Sequence, residues 1–186
     1  MSNEPTRLPF TPNPGFVHNC YTTSLLVNDG SRAGHSCTAT ICYCYRHGCG
    51  MYNDFFIQSI DIDDDCLGTE TDDQLIDDAM AQIIKDNPQH LACTPCPPGS
   101  EDWRMFRGSC KISWIVSSVV DGTTLNHRYL KVCTGGGWCW DRFKVCCSSG
   151  VFTSTLISSY SLPSTCSGCP TPPPGATRVR TTESCL

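Results

Sequence analysis

Apolar and polar positions alternate with a period of two along most of the chain and switch once to a helical period. Cys20 to Asn28 (Tyr21, Thr22, Thr23, Leu25, Val27) reads as a first strand, closed by the turn signal Asn28-Asp29-Gly30. Cys37 to Tyr45 is the next strand. Side chains in a strand alternate between faces, so Cys37, Ala39, Ile41, Tyr43 and Tyr45 share one face, and Thr38, Thr40, Cys42 and Cys44 the other. Arg46 to Gly50 turns the chain, and Tyr52 to Ile62 returns as a strand rich in Phe, Tyr and Ile, which predicts a hairpin.

The period then lengthens. Thr71-x-x-Gln74 is a capping box, Asp72 and Asp73 occupy the first turn, and Leu75, Ile76, Ala79, Met80, Ile83 and Ile84 make one apolar stripe. The spacing predicts a helix over 72–86, stopped before Pro88. Strand patterns resume at Ser109 to Val120, where Cys110, Ile112, Trp114, Val116 and Val120 fall on one face and Asp121-Gly122 marks a tight turn. Leu125 to Cys133, Trp138 to Cys147 and Val151 to Tyr160 complete an expected four-strand meander. Prolines frame this body. Residues 1–19 hold Pro5, Pro9, Pro12 and Pro14, and residues 163–186 run through Pro172-Pro173-Pro174, so both ends are expected as extended arms.

The fold class predicted is mainly β: a disulfide-rich antiparallel sandwich or two stacked hairpin sheets, with one amphipathic helix and Pro-rich arms. The divisions are an arm (1–19), a hairpin-plus-helix region (20–92), a Cys/Pro linker (93–101), a β-meander (102–162) and a tail (163–186), with 20–162 able to form one domain.

Composition narrows the class. Sixteen cysteines in 186 residues approach the density of a disulfide scaffold. The set is Cys20, Cys37, Cys42, Cys44, Cys49, Cys66, Cys93, Cys96, Cys110, Cys133, Cys139, Cys146, Cys147, Cys166, Cys169 and Cys185, an even number whose pairing spacing alone leaves open. Such bridges persist in an oxidising compartment, so an extracellular or cell-surface location is expected. Met1 to Phe10 lacks the basic patch and apolar run of a secretory leader. Either a leader was removed and the numbering restarted, or the chain is a segment; the third alternative is a cytosolic protein whose cysteines bind metal. No apolar run approaches the roughly 20 residues of a membrane span. The net charge is −5, and between Asp54 and Asp86 eleven acidic residues stand against Lys85 alone. No Lys/Arg cluster points to nucleic acid.

Each candidate chemistry competes with a structural role. His35, Cys37, Cys42, Cys44, His47 and Cys49 are dense, but C-x4-C-x-C-x4-C matches no common zinc spacing, and disulfides are favoured. Cys93–Cys96 and Cys166–Cys169 are C-x-x-C pairs set among prolines and not at a helix start, which favours structural bridges over redox chemistry. Cys146 and Cys147, as neighbours on a strand, point to opposite faces and so could tie it to two layers. Cys185 could bridge to another chain or clamp the tail to its own body, the latter being favoured.

Asp61, Asp63 and Asp65 occupy positions 1, 3 and 5 of an EF-hand-like calcium loop, with position 12 at Asp72. Cys66 stands where glycine should make the turn, position 12 is Asp and not Glu, and a strand precedes the loop; a solvated acidic loop is favoured. The histidines (His18, His35, His47, His90, His127) belong to no hydrolytic motif, and neither a G-x-S-x-G elbow nor a P-loop appears, so no enzymatic activity is expected. Trp138 and Trp140 share a face, read as core packing before a carbohydrate platform.

The leading functional expectation is an extracellular structural subunit that assembles with copies of itself into a filament, sheath or surface layer, through exchange of terminal arms or strands. The alternatives are a secreted binding module for a glycan or surface ligand, with or without calcium, and a metal-binding or redox cysteine-rich protein. No cofactor beyond that calcium is expected.

Overall fold

The computed structural model describes residues 17–26, 36–48, 52–63, 71–97, 99–162, 165–183 and 185, with backbone alone for 17–26, 36–38, 48 and 63. The Pro-rich arm to residue 16, the 28–30 turn, His35, Cys49, Asp65 and Cys66 lie outside them.

Nine strands and one helix are described: β1 (Val17–Leu26), β2 (Ser36–Gly48), β3 (Tyr52–Asp63), α1 (Asp72–Asp86), β4 (Glu101–Gly108), β5 (Cys110–Val120), β6 (Thr123–Val132), β7 (Trp138–Ser148), β8 (Val151–Leu162) and β9 (Thr177–Glu183). The fold is mainly β and disulfide-rich with one helix, as expected. Its strands form one hydrogen-bonded network in the order β8-β7-β4-β3-β6-β5-β9, with β2 on β3 and β1 on β2.

Strand β3 is the hub. One edge takes β2 as the predicted antiparallel hairpin. The other edge is divided: Tyr52–Phe56 pairs in parallel with Asp102–Phe106 of β4, and Ser59–Asp63 pairs antiparallel with His127–Lys131 of β6. A bulge makes this work. Cys42 opposes Ser59 and Tyr43 opposes Ile57, leaving Gln58 as the extra residue. One added residue reverses the facing of the rest of the strand. Phe55 and Ile57 point to the main core before the bulge, and Ile60 and Ile62 point there after it.

The expected meander is split. The β5–β6 and β7–β8 hairpins form, but β6 pairs with β3 and β7 with β4, so β6 and β7 are not neighbours. The main core gathers residues from both sides of the 93–101 linker, with Ile41, Phe55, Ile60 and the helix stripe packed against Trp103, Met105, Leu130 and Val145.

Helix α1 keeps its sequence signals. The Gln74 N–H donates to Thr71 Oγ1 (3.2 Å), and the Thr71 N–H donates to Gln74 Oε1 (2.9 Å), closing the capping box. Asn87 ends the helix at φ 43°, a left-handed position that Asn tolerates. The stripe Leu75, Ile76, Ala79, Met80, Ile83, Ile84 is buried.

Five disulfides are described: Cys93–Cys147, Cys96–Cys146, Cys110–Cys166, Cys133–Cys169 and Cys139–Cys185. Cys42 is also disulfide-bonded. Neither C-x-x-C pair closes on itself; each splits between two distant cysteines. Cys146 and Cys147 do not tie β7 to two layers, because both reach the same 93–96 segment. Cys185 clamps to Cys139 of its own chain. The C-terminal arm, expected as an extended segment, joins the chain's own sheet: residues 177–183 form β9 along the edge of β5.

Candidate functional site

The two ends of the main strand order differ in chemistry. β8 reads V-F-T-S-T-L-I-S-S-Y-S-L, twelve residues without a charge or a proline. It hydrogen-bonds to β7 along one side, from Val151 opposite Ser148 to Leu162 opposite Trp138, and its other side has no partner strand among the described residues. Val151, Leu156 and Ile157 are 60%, 54% and 50% exposed. A bulge at Ile157, between the partners of Arg142 and Phe143, interrupts the ladder and adds local twist. Edge strands in monomeric proteins are usually short, charged or bulged, which blocks pairing with another chain; this one is long and uncharged, and the Ile157 bulge is the one such feature it carries.

An aromatic row ends on the same edge. Phe106 of β4, Trp140 of β7 and Tyr160 of β8 are directly opposed in register. Phe106 stacks on Trp140 with centroids 5.8 Å apart, and Trp140 stacks on Tyr160 at 4.9 Å and 13°. Stacked rings prefer such offset arrangements and add about 0.5–1.5 kcal/mol beyond their burial. Tyr160 is the last ring of the row and is 39% exposed. Trp140 is thus partly core and partly a step towards an open edge. Beside the row, Asp102 accepts from Arg142 Nε (3.0 Å) and Lys144 Nζ (2.9 Å). Burial works to raise the Asp102 carboxyl, but those hydrogen bonds and charges outweigh it and hold it below the usual carboxylate range.

β9 is closed by contrast. It carries Arg178, Arg180 and Glu183, and the strap around it is fixed by Cys110–Cys166, Cys133–Cys169 and Cys139–Cys185. Buried Arg107 donates to Asp141 Oδ2 (2.5 Å) and to the backbone carbonyl of Cys185 (2.8 Å), so a charge under the helix holds the end of the tail.

The calcium candidates are divided. Asp61 opposes Tyr129, which opposes Trp114, on the sheet face turned away from α1. Asp72 lies on the helix side, where Ser113 Oγ donates to its Oδ2 (2.8 Å) and Arg128 stands 3.7 Å from Oδ1. The structure does not bring Asp61 and Asp72 together. Asp61 stands 3.9 Å from His127, and burial pushes its carboxyl up against the pull of His127 and Lys131. Asp63 ends β3, and its side chain, like all of Asp65, lies outside the described residues. Asp73 pairs with Lys111, which is fully buried under the helix N-terminus.

In the opening cysteine-rich hairpin, Cys20 sits opposite Cys42 in the β1–β2 register, and Cys37 lies in β2 with its backbone described. Cys44 packs with Phe56 and Phe106, and burial pushes its thiol up. His47 Nδ1 lies 3.2 Å from Asn53 Oδ1, whose amide donates to Glu101 Oε2 (3.0 Å). His47, Asn53 and Glu101, linked to one another in this way, line a pocket of about 410 Å³.

The features missed in the sequence are β4, β9, Arg107 and Lys111. The signal for β4 was short: Trp103, Arg104 and Met105 alternate, and Phe106 then breaks the period. Comparison with protein-family models, with characterised proteins and with solved structures finds no match for the chain.

Proposed function

We propose that the protein is an extracellular structural subunit, hardened by disulfides, that joins a second copy of itself edge to edge through β8. The observation that carries this reading is the uncharged twelve-residue edge. In an isologous contact the same strand meets itself about a two-fold axis, and a strand without charges meets no like-charge repulsion in any antiparallel register. Backbone pairing supplies affinity in such strand addition. The disulfides support an oxidising location. Exchange of the 163–186 arm is not the route favoured, because its residues 177–183 are β9 of the chain's own sheet.

The test is the oligomeric state of oxidised protein by light scattering and electron microscopy over a wide concentration range. The wild type is expected to associate. The variant Ile157→Lys/Ser159→Lys, with two exposed positions on the edge, is expected to be monomeric with an unchanged melting temperature. A monomeric wild type, or a variant that assembles equally well, overturns the reading. The second reading is a glycan-binding module, supported by the open end of the Phe106–Trp140–Tyr160 row. It predicts glycan binding by a monomer, abolished by Tyr160→Ala and indifferent to Ile157→Lys.

A further inference from the structure

Two cysteine quartets are built alike in sequence, each a C-x-x-C pair split between two distant partners, yet they differ in space. In the first, Cys93 and Cys96 bond Cys147 and Cys146. Cys146 and Cys147 are consecutive in a strand, so their side chains leave on opposite faces and the four sulfurs cannot surround one point. In the second, Cys166 and Cys169 bond Cys110 and Cys133. Here the sulfurs of Cys110, Cys133 and Cys169 all lie within 4.8 Å of one another, and Cys110 Sγ is 3.7 Å from Cys169 Sγ across the two bridges. A tetrahedral zinc centre with Zn–S bonds of about 2.3 Å places its sulfurs about 3.8 Å apart.

Backbone hydrogen bonds hold this quartet in addition to the sulfur bonds. The Cys133 N–H donates to the Cys110 carbonyl (3.0 Å). Thr134 N–H donates to the Gly168 carbonyl (3.1 Å), and Gly135 and Ser167 exchange both backbone bonds (3.0 Å each). Gly168 takes φ +61°, the left-handed position that lets the C-x-x-C loop turn back on itself. Trp114 and Ile112 pack around the sulfurs, and the Lys131 ammonium stands over the Trp114 ring at 5.7 Å, a cation beside what would be an anionic centre.

We propose that Cys110, Cys133, Cys166 and Cys169 are a redox-gated zinc site: two disulfides when oxidised, a four-thiolate site for one Zn²⁺ when reduced. Each disulfide takes two electrons and two protons from a dithiol, which closes its own disulfide. Zinc then binds four thiolates, with release of the four thiol protons. The backbone frame holds Cys110, Cys133 and the 167–168 turn between the two states, and the Cys166 sulfur, which stands outside the group of three, swings in to complete the site once its bridge opens.

The test uses the full chain, reduced without denaturant and without oxygen by a water-soluble phosphine, which leaves as its oxide. Zn²⁺ is added, the thiols are pulse-alkylated, and labelling is mapped residue by residue by mass spectrometry. Co²⁺ replaces Zn²⁺ in a parallel spectrum. Zinc is expected to slow labelling of Cys110, Cys133, Cys166 and Cys169 at least tenfold, leaving Cys93, Cys96, Cys146 and Cys147 at the metal-free rate. Co²⁺ is expected to bind once per chain with the absorption of a tetrahedral thiolate centre. Protection that falls on other cysteines, spreads over all of them or is absent overturns the proposal, as does a Co²⁺ spectrum that is not tetrahedral.

Discussion

The strands at the two ends of the main order, β8 and β9, have opposite designs. β9 is seven residues long, carries three charges and lies in a strap held by three disulfides. β8 is twelve residues long, uncharged, and bound to its sheet by β7 alone among the described strands. The difference lies in what each edge sets against an added strand. Charge and covalent closure guard one edge against pairing with another chain, and the other edge has neither. Converting each edge towards the other is therefore the direct way to probe the comparison.

The largest effect is expected where the β9 strap is anchored. Arg107 is 8% exposed and holds both Asp141 and the Cys185 carbonyl. Arg107→Ala leaves Asp141 buried without its cation, a change that costs about 3–5 kcal/mol. Chemical denaturation should show that loss, and hydrogen exchange should show faster opening of β9 than of β8. Next comes Cys139→Ser/Cys185→Ser. Its bridge spans a sequence separation of 46 residues, and its removal is expected to lower stability by about 2–4 kcal/mol while freeing the end of the strap. If β9 amides keep their wild-type protection, the pairing with β5 closes that edge without the bridge.

How the chain announces these edges explains what could be read from it. The helix over 72–86 and the β2–β3, β5–β6 and β7–β8 hairpins are local, and their capping box, turn residues and alternation lie within a few positions. β4 and β9 carry weaker signals. The short β4 pattern follows the Cys/Pro-rich stretch 93–100, and β9 comes after three prolines, so punctuation masked pattern in both. The parallel β3–β4 contact is not local at all: Asp54 is fully buried between Arg46 and Arg104, a partner 50 residues away. Alternation says which face a residue takes, not which strand lies beside it. The same limit hid the disulfide pairing, and it hid the β8 edge, whose meaning depends on its being last in the order.

Acid should separate the two edges further. Asp102 ties Arg142 and Lys144 of β7 beneath β8, and its carboxyl is held below the usual range. A depressed carboxyl contributes stability that is fully present above the unfolded value of about 3.9 and is lost as pH falls through the folded value. Asp77 and Asp78 on α1 act in the other sense. Burial raises both, so protonating them as pH falls towards about 4 relieves a cost. Stability is thus expected to hold or rise slightly on mild acidification and then fall as Asp102 protonates, with β8 amides losing protection before β9. Asp102→Asn should remove the acid limb of that profile; an unchanged limb would place the titration elsewhere.

The smallest effect on stability carries the sharpest question. Arg180 and Glu183 are exposed on β9, and Arg180→Thr/Glu183→Thr should change monomer stability by no more than about 0.5 kcal/mol. It leaves the strap and its bridges intact and removes two of the three charges. If charge is what closes this edge, the variant gains a second adhesive strand. With the proposed two-fold pairing through β8, the variant then extends through β9 as well, so light scattering should report species larger than a dimer at concentrations where the wild type gives none. Should the variant stop at the wild-type size, the guard on β9 is the covalent strap and not its charges. The same measurement on the Cys139→Ser/Cys185→Ser protein would then show the growth that the charge variant lacked.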